Sequence, residues 1–215
     1  MSAFDPARRD TPGRRITIAL YRIAQALEHL LRRRGRVLKL SPTQIRALLF
    51  LKYVRPGVRT IGGLAERLGV TYATSSGVAD ALERKGLIVR SPLPEDQRVI
   101  TLSLTPKGER TVEGLEDILE EIEVVVSTLP PTDQAVLLRA TQAIVYHLQQ
   151  AGYVKVYEMC WGCQFFQRDA HPEDPRGPHH CQFVDAPLQE SDTYLECPDF
   201  IPVSTTSSRK GGGLS

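Results

Sequence analysis

TIGGLAERLGVTYATSSGVADALERKG, residues 60–86, is the stretch that decides the fold. Its first half carries apolar residues at helical spacing, namely Ile61, Leu64 and Leu68. Gly69 can adopt the left-handed conformation that ends a helix, and Thr71 can cap a second helix that ends at Gly86. Two short helices joined by a glycine-containing turn form the helix-turn-helix pattern, although that spacing also occurs in many other helical proteins.

The segment that follows strengthens this interpretation. Residues 87–90 have the composition of a strand, and residues 99–104 alternate between apolar and polar. Residues 91–98, between them, are polar and proline-rich, which suits an exposed hairpin loop rather than a central strand. A two-stranded hairpin directly after the second helix is a wing, so the sequence predicts a winged helix-turn-helix.

Helices are predicted on both sides of this unit. Apolar periodicity predicts a first helix over residues 14–34, and Ser41-Pro42-Thr43-Gln44 predicts a capping box at the start of a second. From Thr105 to Leu129, apolar residues at alternating spacings of three and four predict one long helix with a coiled-coil-like stripe. A last helix follows Pro130-Pro131 and ends near residue 150. Long terminal helices favour a dimer, although an intramolecular core is the plainer explanation for any single stripe.

Five short motifs carry a resemblance to a known family. They occur in the order Leu40–Gln44, Leu64–Val70, Leu82–Ile88, Asp96–Arg98 and Leu104–Gly108. Over about residues 15–150 the chain resembles the MarR family of bacterial transcriptional regulators, whose wing carries Asp-x-Arg followed by Leu-Thr-x-x-Gly. The resemblance implies a homodimer that binds a pseudo-palindromic double-stranded DNA operator, with recognition helices in major grooves and wings in minor grooves.

The resemblance also implies which residues contact DNA. Arg98 is then the minor-groove residue, attracted by the negative potential of a narrow groove, and Asp96 orients it or a nearby arginine; a solvated charge pair is the alternative. Small hydroxyl residues open the recognition helix, which carries no Arg or Lys before Arg84, and Gly77 stands where the family often has a larger residue. Phosphate contacts and groove shape should therefore contribute more than arginine-to-guanine contacts. The candidate DNA-binding residues are Thr71, Tyr72, Thr74, Ser75, Ser76, Arg84, Asp96 and Arg98.

All four cysteines follow the predicted winged helix in the sequence, at Cys160, Cys163, Cys181 and Cys197. In a reducing compartment such a cluster favours metal binding over disulfides, and four thiolates complete an all-cysteine ligand shell. Zinc and an iron–sulfur cluster both accept such a shell, and both alternatives stay open at this point. The nearby His171, His179 and His180 either replace a thiolate or are ordinary loop residues. The metal centre is expected to be a redox or metal sensor or a structural site.

Charge is distributed unevenly along the chain, whose net charge is only +2. Residues 1–39 carry a net charge of +7, and residues 160–203 carry −6. The basic N-terminal segment suits the binding of a polyanion such as nucleic acid, and the acidic C-terminal segment does not. The run Arg32 to Arg34 either contacts phosphate or complements the C-terminal end of a helix.

The predicted fold class is therefore mainly α (α+β), a winged helix-turn-helix with long dimerisation helices and a small C-terminal four-cysteine metal-binding module. The expected division is a loose tail over 1–13, the MarR-like domain over 14–155, the cysteine module over 156–203 and a second tail over 204–215. No apolar run approaches the eighteen residues of a membrane span, and no signal core opens the chain, so we expect a cytoplasmic protein.

An enzyme is not expected, because the sequence contains no P-loop, no GxGxxG after a strand, no HExxH and no GxSxG. Two alternatives remain, a thiol-redox enzyme and a winged-helix module that binds proteins instead of DNA. The family resemblance also leaves room for a small-molecule effector between the dimer helices and the DNA-binding part. For that ligand, Tyr21, His29 and Tyr53 are only guesses.

Overall fold

The computed structural model describes residues 5, 11–54, 56–154, 159–193, 197, 199–201 and 203. It separates into two compact units, one ending at Thr128 and one beginning at Leu129. The predicted boundary between domain and cysteine module falls within residues 155–158, and the predicted C-terminal tail covers 204–215; both lie outside the described residues. None of the described helices is both long and apolar enough to cross a bilayer.

The first unit contains six helices and one hairpin in its described part. They are α1 (Pro12–Leu38), α2 (Pro42–Tyr53), α3 (Ile61–Leu68), α4 (Tyr72–Arg84), β1 (Ile88–Leu93), β2 (Asp96–Leu104), α5 (Pro106–Glu113) and α6 (Glu120–Ser127). This order is that of a winged helix-turn-helix, as predicted. The first helix is longer at both ends than residues 14–34.

Hydroxyl caps set the starts of α1 to α5. At each start a Ser or Thr oxygen accepts a hydrogen bond from the backbone N–H three residues further on; the caps are Thr11, Ser41, Thr60, Thr71 and Thr105. The capping box predicted at Ser41 and Gln44 is present. Gly69 has φ 64° and ends α3 as expected. Each cap contributes about 1 kcal/mol, so local sequence determines where these helices begin.

The core of this unit joins most of its elements. Its fully buried side chains come from α2, α3, α4, the wing and the segment after α5, and they include Ile45, Leu48, Leu51, Leu64, Leu82, Ile88, Leu102 and Leu115. Because α4 and the wing share this core with α2, these two elements are held on one support.

The wing is longer than predicted. Residues 91–98 were expected to form a loop, but β1 and β2 pair through most of that segment and only Pro94 and Glu95 connect them. Pro92 lies opposite Ile100 in this ladder. It is tolerated because β1 is an edge strand, whereas β2 is also bound on its other side, where the N–H of Leu102 donates to the carbonyl of Arg59 (2.7 Å).

The single long helix predicted after the wing is wrong. α5 ends at Glu113, a tight 3-10 turn covers Glu116–Leu119, and α6 begins only at Glu120. In a 3-10 turn, residues three apart lie on the same side, which directs Leu115 and Ile118 together into the core. Leu119, a member of the predicted stripe, is left more than half exposed.

The second unit consists of α7 (Pro131–Gln150) and a small antiparallel sheet of β3 (Phe166–Gln167), β4 (His179–Cys181) and β5 (Ala186–Leu188), in the order β3-β4-β5. The buried Gln142 of α7 donates to the hydroxyl of Thr193 (2.8 Å). The ring of Tyr146 stands edge-on to Trp161 at 6.0 Å. These contacts place α7 with the cysteine segment.

Candidate functional site

The start of α4, which the sequence predicts to be the recognition helix, is exposed to solvent. Its exposed residues are Thr71, Tyr72, Ala73 and Thr74. The hydroxyls of Thr71 and Thr74 lie 2.9 Å apart, and the Thr71 oxygen also accepts the N–H of Thr74 (3.2 Å). Ser76 is partly exposed. The arrangement therefore presents hydroxyl and methyl groups, the chemistry that contacts base edges and phosphates.

Ser75 differs from its neighbours because it is fully buried. Its hydroxyl donates to the carbonyl of Ile61 in α3 (2.9 Å). The side chain that sequence reasoning placed among the DNA contacts thus joins the two helices of the helix-turn-helix. In this conformation the Ser75 side chain is not accessible to a DNA duplex.

Arg90 of β1 was missed by sequence reasoning. Its guanidinium pairs with Asp80 (2.5 Å) and Glu83 (3.5 Å) of α4 and donates to the carbonyl of Ser76 (2.9 Å). These contacts fasten the recognition helix to the wing and compensate two carboxylates that would repel phosphate. The available signal was two acids three residues apart on α4, followed by a basic residue on the next strand.

The wing ends in an exposed charged tip. Asp96 accepts the backbone N–H of Arg98 (3.0 Å), so the carboxylate shapes the turn that carries this arginine. Arg98 is exposed, as is Arg84 at the end of α4. The structure thus exposes two cations, one at the end of α4 and one on the wing.

The arginine run at the end of α1 is engaged within the protein. Arg33 pairs with Glu121, Arg34 pairs with Asp117, and Arg32 pairs with Glu28 (3.3 Å). The first two of these pairs connect α1 to the segment after α5. Of the two sequence interpretations, phosphate contact and helix-end complementarity, neither anticipated these acidic partners.

All four cysteines line one cavity of about 180 Å³ in the second unit. The other described residues of its lining are apolar apart from Asp199; they are Phe165, Phe166, Phe183, Val184 and Leu188. The four thiols come from three separate segments of the chain. The pairing of β3 with β4 places Cys181 opposite Phe166, and Phe166 follows Cys163 by three residues. Burial raises the pKa of the Cys197 thiol above its usual value.

The cysteines line one cavity, but they do not form a recognisable site for a single ion among the described residues. Among the described residues, no group of three or more His, Cys, Asp or Glu side chains is arranged to hold one metal ion. None of the three histidines is among the described lining residues. The four thiols do face a common, mostly apolar space, and this is the feature that a metal centre would require.

His179 has a structural role in the same unit. It is almost fully buried, its Nδ1 accepts the N–H of Asp169 (3.2 Å), and its Nε2 lies 3.1 Å from a carboxylate oxygen of Glu190. Because Nδ1 accepts, Nε2 carries the proton and donates to Glu190. Both nitrogens are thus occupied, and His179 has no free position for a metal.

The helix-turn-helix and most of the wing lie in a part of the chain that matches a known family. Residues 38–99 match the sequence model of the MarR family. They also include the end of α1. This part of the chain is therefore similar to the winged helix of the MarR family.

Two curated relatives from Bacillus subtilis (strain 168) match part of this chain. The uncharacterized HTH-type transcriptional regulator YfiV is 30% identical over 78 residues, which cover 36% of this chain and 48% of YfiV. The HTH-type transcriptional repressor MdtR is 39% identical over 69 residues, covering 32% and 43%. The chain therefore spans just under half the length of these two relatives. Both relatives are described as transcriptional regulators and neither as an enzyme.

A solved structure extends the likeness in fold. The MepR–DNA complex of S. aureus superposes with a TM-score of 0.56 at 24% identity and covers 62% of this chain and 98% of that one. At this level of identity, the likeness is one of fold.

Proposed function

We propose that this chain is a MarR-type transcriptional regulator that binds a pseudo-palindromic DNA operator as a homodimer. The observation that carries the proposal is an exposed hydroxyl surface on α4 beside a wing that ends in the exposed Arg98, within a segment that matches the MarR family. The relatives' descriptions as regulators support it, as does the likeness in fold to a protein solved in complex with DNA.

The proposed contacts follow from exposure. Thr71, Tyr72, Thr74 and Ser76 face the major groove, and Arg84 contacts phosphate. Arg98 enters the minor groove from a turn that Asp96 holds. Ser75 is left out because it is buried. With no early arginine on α4, affinity depends mainly on phosphate and groove shape, and binding should weaken steeply with salt.

Dimerisation is supported by apolar residues that each unit leaves exposed. In the first unit they include Ile16 and Ile23 on α1 and Val124 and Val125 on α6; in the second they include Val136 and Leu137 on α7. Apolar side chains repeated along helix surfaces are typical of surfaces that a second subunit covers.

We further propose that the four cysteines bind one metal centre, zinc or an iron–sulfur cluster, that acts as a redox or metal sensor or as a structural site. The shared cavity supports this. A small-molecule effector is also compatible with the fold. The open depression on α1 that contains Tyr21 and His29 is a place to test for one.

The test is operator selection from random duplexes with the purified full chain, followed by titration at several salt concentrations. We expect a palindromic site and a steep salt dependence. Arg98→Ala should weaken binding about tenfold, or ~1.4 kcal/mol, and reduce the salt slope by about one. Arg110→Ala removes the same charge from an exposed position on α5 and should change little.

Two results would count against this function. If no sequence is enriched and binding to any duplex is independent of salt, a protein-interaction module is favoured. If thiol–disulfide exchange persists when Cys181 or Cys197 is replaced, a redox enzyme that uses only the Cys160–Cys163 pair is favoured.

A further inference from the structure

The four cysteines line a cavity that is larger than a single ion, and the size of this space discriminates between the two candidate metal centres. We infer that the cavity holds an iron–sulfur cluster and not a single zinc ion. The inference rests on the proposed metal centre and names its chemistry.

Size is the first argument. A zinc ion draws four thiolates to about 2.3 Å from itself and leaves no space between them. The cavity that these thiols line has a volume of about 180 Å³. That is more than ten times the roughly 10–15 Å³ that one water requires by the same kind of measure. A cluster of several iron and sulfide ions occupies such a space and reaches each thiolate through a separate iron.

Spacing is the second argument. The described side chains contain no group of three His, Cys, Asp or Glu that fits one ion, although four cysteines share the cavity. Four thiols that line one cavity without forming a site for one ion fit ligands that each bind a different iron of a cluster. Histidine does not complete a smaller site, since His179 has both nitrogens engaged elsewhere.

The lining is the third argument. Aromatic and aliphatic side chains surround the thiols, chiefly Phe165, Phe166, Phe183 and Leu188, with Asp199 as the polar exception. Such a wall keeps water from the cluster sulfides, and burial is one of the properties by which a protein tunes a cluster. A structural zinc site requires no such chamber, because its ligands already enclose the ion.

Backbone pairing shows how the ligands would be held. The N–H of Gln164 donates to the carbonyl of Ile201 (2.8 Å), and the N–H of Val203 donates to that of Gly162 (3.1 Å). These bonds fix the segment that follows Cys197 against the turn that carries Cys160 and Cys163. A cluster would therefore connect three segments that otherwise have little secondary structure.

The first experiment is purification of the full chain without oxygen, followed by measurement of iron, acid-labile sulfide, zinc and visible absorption. We expect a brown protein with equal amounts of iron and sulfide, at least two of each per chain. One zinc per chain without sulfide would overturn the cluster and leave the metal centre of the proposed function intact. No metal, even after anaerobic supply of iron, sulfide or zinc, would overturn both. Operator binding is measured separately on the same sample.

The second experiment keeps all four ligands, because replacing a cysteine could simply unfold the unit. Phe183 lines the cavity but is itself half exposed, so Phe183→Ala opens the wall at its outer side. We expect the visible absorption to decay severalfold faster in air than in the unchanged protein. Tyr153→Ala, which removes an exposed aromatic residue of the same unit outside the cavity, is the matched control. Equal decay rates for the two variants would show that the cluster does not occupy this cavity.

Discussion

Arg90 on the wing strand β1 controls the charge of the recognition helix. It pairs with Asp80 and Glu83 and also binds the carbonyl of Ser76. Without it, two carboxylates would stand uncompensated on the helix that approaches phosphate in the proposed complex. Arg90 would thereby decide whether the surface of α4 repels or accepts a polyanion.

Arg90→Ala is expected to weaken operator binding about tenfold or more, or ~1.4 kcal/mol, as judged by fluorescence anisotropy. Asp80→Asn combined with Glu83→Gln in that background removes the repulsion and should restore much of the affinity. If the triple variant binds no better than Arg90→Ala alone, charge compensation is not the role of this arginine.

Asp174 illustrates a charged turn in the second unit. It accepts hydrogen bonds from the backbone N–H and the guanidinium of Arg176, which lower its pKa to about 2. The folded-state pKa is depressed from 3.8, so the stabilisation is present above about pH 4 and is lost as the pH falls toward 2.

Asp174→Asn should therefore lower the midpoint of thermal unfolding at pH 7, while the difference from the unchanged protein should vanish near pH 2. Circular dichroism melts across this pH range measure both. A difference that stays constant with pH would contradict the assignment to the ionised carboxylate.

At the scale of elements, the contact between α5 and the wing depends on a missing side chain. Gly108 lies so close to the carbonyl of Leu87 that an added Cβ would clash with the backbone oxygen. The glycine in the Leu-Thr-x-x-Gly motif is thus explained by packing, because it lets α5 approach the start of β1. Gly77 on α4 has open space around the same position.

Gly108→Ala is expected to destabilise the protein by about 1–3 kcal/mol, the usual cost of overpacking. The matched Gly77→Ala should stabilise it by about 0.5–1 kcal/mol, since alanine favours a helix and meets nothing there. Urea unfolding measures both. Equal effects of the two substitutions would mean that the close approach at Gly108 does not exist in solution.

Sequence periodicity described some elements better than others. The hydroxyl caps at Ser41 and Thr71 and the glycine turn between α3 and α4 act over three or four residues, so the residue types alone were enough to predict them. The interruption after α5 could not be predicted in this way, because an apolar stripe with spacings of three and four suits both one long helix and a helix broken by a 3-10 turn. Only the core that receives Leu115 and Ile118 distinguishes the two.

At the scale of the whole molecule, apolar surface remains to be covered. Val124 and Val125 on α6 are each more than half exposed, on a short helix with no fully buried residue. In the proposed dimer these side chains belong to the subunit interface. Operator binding by paired recognition helices then depends on their burial.

Val125→Lys is expected to weaken dimerisation at least about tenfold, because a lysine buried without a partner costs more than ~1.4 kcal/mol. Sedimentation equilibrium measures the change. Val89→Lys, an apolar-to-lysine change at an exposed position on the wing, is the control and should leave the dimer intact. Dimers of normal strength in Val125→Lys would exclude α6 from the interface.

The sequence by itself determined the order of elements in the winged helix-turn-helix, the starts of α2 and α4 and the residue types of the candidate binding surface, because capping, turn chemistry and periodicity are local properties. Tertiary structure decided which of those residues are available. It buried Ser75 under α3, fastened α4 to the wing through Arg90, paired the arginines of α1 with acids and directed four distant cysteines into one apolar cavity. Burial and pairing between segments far apart in the chain depend on packing, which no local pattern encodes. The helix-turn-helix of residues 60–86 could therefore be predicted from its own residues, while the surface that it presents to DNA could not.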